Sequence, residues 1–80
     1  MEKSAIQLKE IFIYNSKDMN KPGQITGLYS AGLCKGTYYR VYFPRTGEIE
    51  YVNIRNVRYD PEKVLYHYDD KNIIKKKYNM

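Results

Sequence analysis

Residues 37–55, with the sequence TYYRVYFPRTGEIEYVNIR, decide the fold of this eighty-residue chain. Apolar and polar side chains alternate on both sides of Thr46-Gly47, which is the pattern of two strands that each bury one face. A Thr-Gly pair between two such runs predicts a two-residue turn. The segment is therefore predicted to form an antiparallel hairpin.

The register of this hairpin follows from the turn. Counting outward from Thr46-Gly47 predicts the cross-strand pairs Arg45–Glu48, Tyr42–Tyr51, Val41–Val52 and Tyr39–Ile54. Strand side chains alternate between two faces. The predicted core face carries Tyr39, Val41, Phe43, Val52 and Ile54 together with Glu50. The opposite face carries Tyr38, Arg40, Tyr42, Tyr51, Asn53 and Arg55. Pro44 cannot donate to a ladder and indicates an edge or a bulge, and a one-residue bulge would exchange half of this assignment.

A further strand is predicted upstream of the hairpin. Apolar residues alternate with small or polar ones along residues 25–33, and Cys34-Lys35-Gly36 fits a three-residue hairpin loop. This register places Tyr29 opposite Val41. Tyr29 and Leu33 are therefore predicted to join the core.

The remaining segments are less regular. Residues 15–24 are polar, with Pro22-Gly23 as a turn signal, and are predicted to be a loop. Residues 4–14 combine a capping box with a β-branched and aromatic run, so a short N-terminal turn or helix that leads into a strand is predicted. Residues 61–68 follow a good helix start but also alternate, and the sequence leaves helix and strand open.

Short strands at close spacing predict a mainly β fold. Either a small antiparallel barrel or a strongly bent sheet is expected, with a short helix or helical turn at one or both ends. Residues 1–70 are predicted to form a single small domain. Residues 71–80 are predicted to be a basic C-terminal tail, with one helical turn through Ile73 and Ile74.

The net charge of +5 suggests an acidic partner, although solubility alone would also explain it. The tail carries much of this charge, on Lys71, Lys75, Lys76 and Lys77. No apolar stretch has the length of a membrane span or a signal peptide, and the single cysteine, Cys34, fits a reducing compartment. A cytoplasmic protein with no membrane partner is therefore expected, and a homo-oligomer would suit so short a chain.

Catalysis is not expected from this sequence. The single histidine, His67, has no nucleophile or metal ligand at a recognisable spacing, and Cys34 has no second catalytic group beside it. The glycines are scattered and form no phosphate-binding loop. No enzymatic activity, cofactor or metal site is predicted.

Ten tyrosines and no tryptophan are the unusual feature of the composition. Several of them are interleaved with arginines on the central hairpin, and the predicted ligand-binding residues are Tyr38, Arg40, Tyr42, Tyr51, Arg55 and Arg45. Aromatic rings can stack on unpaired bases while arginines contact phosphates. The same residue types are favoured in protein-binding hot spots, and a purely structural cross-strand tyrosine pair is the third interpretation.

A family resemblance lies in the same region. The stretches Gly27–Tyr29, Tyr38–Val41 and Glu50–Val57 resemble the strands of Tudor and other Src-homology-three-type small barrels, over about thirty residues. The resemblance implies a small barrel in which aromatic residues line a ligand groove. Residues 53–56 depart from the aspartate-tyrosine-glycine run that is typical of Tudor domains.

The function expected from the sequence is that of a non-catalytic binding module. Its Tyr/Arg-rich β face is predicted to bind nucleic acid or a nucleic-acid-handling complex, with help from the basic tail. The alternative is a protein-interaction module, for example a phage-encoded inhibitor of a host defence protein. The abundance of Lys, Asn, Ile and Tyr, whose codons are AT-rich, indicates a low-GC bacterium or one of its phages.

Overall fold

The computed structural model describes residues 11–30, 32–33, 36–71 and 73–77, with the backbone alone for 75–77. Its strands are β1 (Phe12–Asn15), β2 (Asp18–Ser30), β3 (Thr37–Phe43), β4 (Glu48–Asn53), β5 (Val57–Asp60), β6 (Leu65–Tyr68) and β7 (Ile73–Lys77). They form one sheet in the order β5-β6-β1-β2-β3-β4-β7. The prediction of a mainly β fold is confirmed.

The sheet is open, so the barrel that the sequence suggested is not formed. β5 and β7 lie at its two edges and do not pair with each other. The pairing is antiparallel except between β1 and β6, which run parallel. The described residues contain a 3₁₀ turn, Ile54–Asn56, and no helix long or apolar enough to cross a lipid bilayer.

Two short connections show that the sheet is strongly curled. The 3₁₀ turn of three residues joins β4 to β5, although four strands lie between them in the sheet. Residues 69–72 join β6 to β7, which are separated in the same way. The side chain of Asn56 in the 3₁₀ turn donates to the carbonyls of Asp69 and Lys71, which ties the two connections together.

The β3–β4 hairpin has a longer turn than predicted. Phe43 pairs with Glu48, and the carbonyl of Phe43 accepts from the amides of Thr46 and Gly47 at 3.2 and 2.8 Å. Pro44 has no amide hydrogen to continue the ladder, so the strand ends before it. Gly47 adopts a φ of 75°, which glycine reaches without strain. Four residues therefore form the loop instead of two.

The longer turn moves the register by two residues and leaves the faces as predicted. Val41 lies opposite Glu50 and Tyr39 opposite Val52. An even shift keeps every side chain on its side of the sheet. The buried residues of the predicted core face are Val41, Phe43, Val52 and Glu50. Ile54 is exposed, because it lies in the 3₁₀ turn beyond the strand.

The β2–β3 pairing differs from the prediction by an odd number of residues. Ser30 pairs with Thr37, so six residues separate the strands, and Tyr29 lies opposite Tyr38 rather than Val41. An odd shift turns the side chains to the other face. Tyr29 is therefore exposed. Leu33 is exposed as well, because it lies in the loop beyond the end of β2, so the assignment of both residues to the core is wrong.

The predicted loop 15–24 is largely strand. Residues from Asp18 onward belong to β2, which pairs with β1 across an irregularity beside Asn15. A Cβ on Gly23 would lie 2.5 Å from Cγ1 of Val41 and 2.6 Å from Cε1 of Phe43. These two side chains occupy the space above the glycine, which explains the glycine at this position.

For residues 61–68, where the sequence left helix and strand open, the structure has a turn followed by a strand. The side chain of Asp60 accepts from the amides of Glu62 and Lys63, as a helix cap would, but residues 61–64 form a turn and the chain continues as β6. Val64 has a φ of 50°, a strained value for a β-branched residue.

The ends of the chain also differ from the prediction. Residues 73–77 of the predicted tail form the edge strand β7 on β4, in place of a helical turn, and Ile73 packs against the core. β1 begins at Phe12, and the possible N-terminal helix falls on residues outside the described part of the chain.

The core lies on the inner face of the curled sheet, the face that carries Val41 and Val52. Its fully buried side chains are Ile13, Ile25, Val41, Phe43, Val52 and Tyr68. Because β6 and β4 both contribute, the curl brings the outer parts of the sheet over one cluster. The opposite side of β2, β3 and β4 is the outer face.

Candidate ligand surface on the outer face

Three tyrosines meet on the outer face, and we call Tyr29, Tyr38 and Tyr51 the tyrosine cluster. The ring centroid of Tyr29 is 4.9 Å from that of Tyr51 and 6.4 Å from that of Tyr38, with tilted ring planes. Tyr38 is only 8% exposed, whereas Tyr29 is 44% exposed. The two neighbours therefore support the ring of Tyr29, which keeps much of its surface open to solvent.

Arg40 lies beside the tyrosine cluster, opposite both Tyr51 and Gly27. Its Nε donates to Oγ1 of Thr26 at 3.0 Å, and that hydroxyl donates to the Arg40 carbonyl at 3.1 Å. A Cβ on Gly27 would be 4.0 Å from Nε and Nη2 of Arg40, so the guanidinium lies over this glycine. Within the described part of the chain the Nη groups have no hydrogen-bond partner, and the side chain is exposed.

The outer face separates cations from carboxylates. Cross-strand partners share a face, and the register places on it Gln24, Gly27, Tyr29, Tyr38, Arg40, Tyr42, Ile49, Tyr51 and Asn53. None of these residues is acidic. Glu48 and Glu50 occupy inward-facing positions of β4, so the alternation of the strand removes both carboxylates from the surface that carries Arg40.

The inward carboxylates have their own cation. Nζ of Lys21 lies 3.1 Å from Glu48 and 3.8 Å from Glu50, and 4.8 Å from the centre of the Phe43 ring. Partial burial lowers the pKa of Lys21, but the hydrogen bond to Glu48 and the charge of Glu50 outweigh it, and the pKa is raised overall. The charges of these two carboxylates are thus compensated by Lys21 and are not used to neutralise Arg40.

The structure places the other predicted aromatic residues differently. Tyr42 lies on the outer face but opposite Ile49, so it does not pair with Tyr51 as predicted. Tyr51 pairs its ring with Tyr29 instead. Tyr38 is largely buried and can serve as a support rather than as an exposed contact.

The predicted arginines fall into two groups. Arg55 is exposed in the 3₁₀ turn, two residues after Asn53, whose side chain accepts from the Arg55 amide at 2.9 Å. Asn53 is the partner of Tyr38, so Arg55 lies at the tyrosine end of the hairpin. Arg45 lies in the turn at the other end and donates to the carbonyl of Asn20. The structure therefore separates Arg45 from the rest of the predicted site.

The predicted tail lysines lie along the last strand and the connection to it. Lys71 is exposed in the connection after β6. The backbone of β7 pairs Lys75 with Glu50, Lys76 with Ile49 and Lys77 with Glu48. The basic segment is thus part of the sheet, beside β4.

In the rest of the described structure, the features of a candidate site are weaker than on the outer face. Residues 11–30, 32–33, 36–71 and 73–77 contain no group of three or more His, Cys, Asp or Glu side chains arranged to hold a metal ion. His67 is half-buried in β6. An open cleft of about 510 Å³ lies between β1 and the turn before β6, with Phe12, Val64 and Tyr66 in its lining.

Comparisons with known proteins found no matching family model, no matching curated protein and no matching solved structure.

Sequence reasoning missed Tyr29 as a surface residue. A local signal was present in Thr26-Gly27, because an isolated glycine within a strand pattern often marks a bulge. The register of β2 on β3 does shift between Ile25 and Gly27. The length of the following loop could not be read from the sequence in the same way.

Proposed function

We propose that this protein is a non-catalytic binding module that contacts nucleic acid, alone or within a nucleoprotein complex, through its outer face. The observation that carries the proposal is the composition of that face. An exposed, supported tyrosine ring lies beside an exposed arginine, and none of the described residues on that face is acidic. Rings and guanidinium groups are the contacts that nucleic-acid-binding sheets use for bases and phosphates.

The charge distribution supports a polyanionic ligand over a neutral one. The net charge is +5, and the carboxylates of β4 are turned inward against Lys21. A phosphate that approaches Arg40 therefore meets no acidic side chain among the described residues on the outer face of β2, β3 and β4. Each phosphate contact of this kind releases condensed counterions, so binding should weaken steeply with salt.

The proposal is tested by the salt dependence of binding. Fluorescence anisotropy with a labelled oligonucleotide, repeated over a salt series, gives the slope of log affinity against log salt. Arg40→Ala should lower that slope by about one unit, because one phosphate contact is lost. Arg58→Ala is the control, since Arg58 is also exposed but lies on the edge strand β5 and is 3.6 Å from Asp69.

Two experimental outcomes would contradict nucleic-acid binding. If the purified protein binds no nucleic acid at low salt, the proposal is wrong. A partner recovered from host lysate that stays bound after nuclease treatment, with a shallow salt slope, would favour the protein-interaction alternative, for which exposed tyrosine anchors are equally suitable.

A further inference from the structure

We infer that the ligand of the outer face is a single strand, and that Tyr29 is the residue on which one of its bases stacks. The inference rests on the proposed function, because it names the form of nucleic acid that the same surface would take. It depends on Tyr29, which the sequence alone assigned to the core.

The ring of Tyr29 is held in place as a platform. Tyr51 and Tyr38 contact it from the two strands beyond its own, with centroid distances of 4.9 and 6.4 Å. The ring is packed on one side and is 44% exposed overall. Because its neighbours already restrict it, the ring loses little conformational entropy when a base stacks on it. Base–aromatic stacking of this kind needs an unpaired base whose face is accessible.

The position of Arg40 fits a strand that continues past the ring. Tyr29 and Gly27 lie two residues apart on β2, which is about 6.6 Å along the strand. The Arg40 guanidinium covers Gly27 and is fixed through Nε by Thr26, so its Nη groups remain for a phosphate. A base on Tyr29 and the adjoining phosphate on Arg40 can therefore be held together.

The shape of the surface argues against a duplex. The major groove of B-form DNA admits a helix or a two-stranded ribbon. The outer face is the surface of three adjacent strands, β2, β3 and β4, that belong to a wider sheet. Such a surface cannot enter the groove to reach paired bases, whereas the unpaired bases of a single strand can lie flat on it.

The test measures the full-length protein by fluorescence anisotropy with oligothymidylate and oligouridylate of about 15 nucleotides, a matched duplex, and an abasic strand of equal length. Both single strands should bind more tightly than the duplex. Tyr29→Ala should weaken binding to the single strands by about 5- to 150-fold and leave the abasic strand unaffected. Tyr29→Phe should keep the affinity, and Tyr29→Leu, which retains apolar bulk for folding, should lose it.

Tyr59→Ala is the matched control. Tyr59 is 49% exposed, and its ring lies 4.9 Å from that of Tyr66, so it repeats the features of Tyr29 on the edge strand β5. Its replacement should not change affinity. A preference between the thymidylate and uridylate strands would assign the ligand to DNA or RNA.

The outcomes separate the inference from the proposed function. Equal binding of duplex and single strand, or equal losses on the abasic and intact strands for Tyr29→Ala, would overturn the inference while Arg40→Ala still weakened binding. Absence of binding to every probe would contradict both the inference and the proposed function.

Discussion

The hydroxyl of Tyr68 donates a 3.0 Å hydrogen bond to Oε1 of Glu50 in the interior of the curled sheet. Tyr68 belongs to β6 and Glu50 to β4, two strands that are separated by β1, β2 and β3 in the sheet order. Glu50 is only 2% exposed, and its other oxygen lies 3.8 Å from Nζ of Lys21. This buried carboxylate therefore links distant strands across the core.

Replacement of Glu50 by alanine should destabilise the protein by about 1–3 kcal/mol, because the Tyr68 hydroxyl would be left buried without its acceptor. Glu50→Gln keeps an acceptor oxygen and should be milder. Glu48→Ala is the control, since Glu48 also contacts Lys21 but is partly exposed, and its loss should change stability by less than about 1 kcal/mol. Urea unfolding measures the three variants. Equal effects of the Glu48 and Glu50 changes would contradict the role assigned to the buried carboxylate.

Alkaline pH should unfold the protein through Tyr68. Burial first, and then the negative charge of Glu50, raise the pKa of Tyr68 above its ordinary value of 10.0. Above pH 10 the unfolded chain loses this proton while the folded chain keeps it, so the free energy of unfolding should fall as the pH rises further. The contribution is fully present below pH 10.

The measurement is the free energy of unfolding as a function of pH from 8 upward, a range that brackets the ordinary tyrosine value of about 10. Tyr68→Phe should be less stable than the natural protein near pH 8 but lose stability less steeply above pH 10. A parallel fall in both proteins would assign the alkaline unfolding to the other tyrosines.

The size of the side chain at position 23 is limited by the core. A Cβ there would be 2.5 Å from Val41 and 2.6 Å from Phe43, both fully buried. Gly23→Ala should therefore cost about 1–3 kcal/mol through overpacking. Gly27→Ala on the same strand is the control, because its Cβ would meet only Arg40, at 4.0 Å. Thermal unfolding of the two variants should separate them, and similar midpoints would contradict the packing at Gly23.

The two central pairings show what the sequence could predict. The β3–β4 turn is two residues longer than predicted, yet Val41, Val52 and Glu50 remain on the core face, because an even error preserves the alternation. Between β2 and β3 the error is odd, and Tyr29 moved from the predicted core to the surface. Local alternation thus defined the strands, while loop length decided which way each one faces.

The pairings between strands that are distant in the sequence could not be predicted from local sequence patterns. The parallel contact of β6 with β1 and the addition of β7 to β4 join segments that no local pattern relates. The predicted basic tail, residues 71–80, shows why local patterns were not sufficient. Its lysines suggested solvent exposure, but Ile73 provides an apolar residue that packs against the core beside its partner Val52. Arg40 and Tyr51 lie on one face of the hairpin, as the alternation predicted, but the packing of Tyr29 against Tyr51 was not predicted.

The two isoleucines of β7 should respond differently to truncation. Ile73 packs against the core, whereas Ile74 is exposed opposite Tyr51 on the outer side. Ile73→Ala should cost about 1–2 kcal/mol, because the side chain is only partly enclosed, and Ile74→Ala should cost less. Chemical denaturation gives both values. If Ile73→Ala were harmless, β7 would not contribute to the stability of the sheet.

Arg45 should contribute little to ligand binding, although it was predicted as a site residue together with Arg40. It lies in the turn that ends β3, donates to the carbonyl of Asn20, and is at the opposite end of the hairpin from Asn53 and its partner Tyr38. Phe43, which precedes the turn, lies five residues along β3 from Tyr38, a distance of about 17 Å. That exceeds the screening length of about 8 Å at physiological salt, so its charge should be weakly felt at the tyrosine cluster. In the anisotropy assay at physiological salt, Arg45→Ala should bind with nearly the natural affinity and Arg40→Ala with clearly reduced affinity. A greater loss for Arg45→Ala would place the ligand at the turn rather than over the tyrosine cluster.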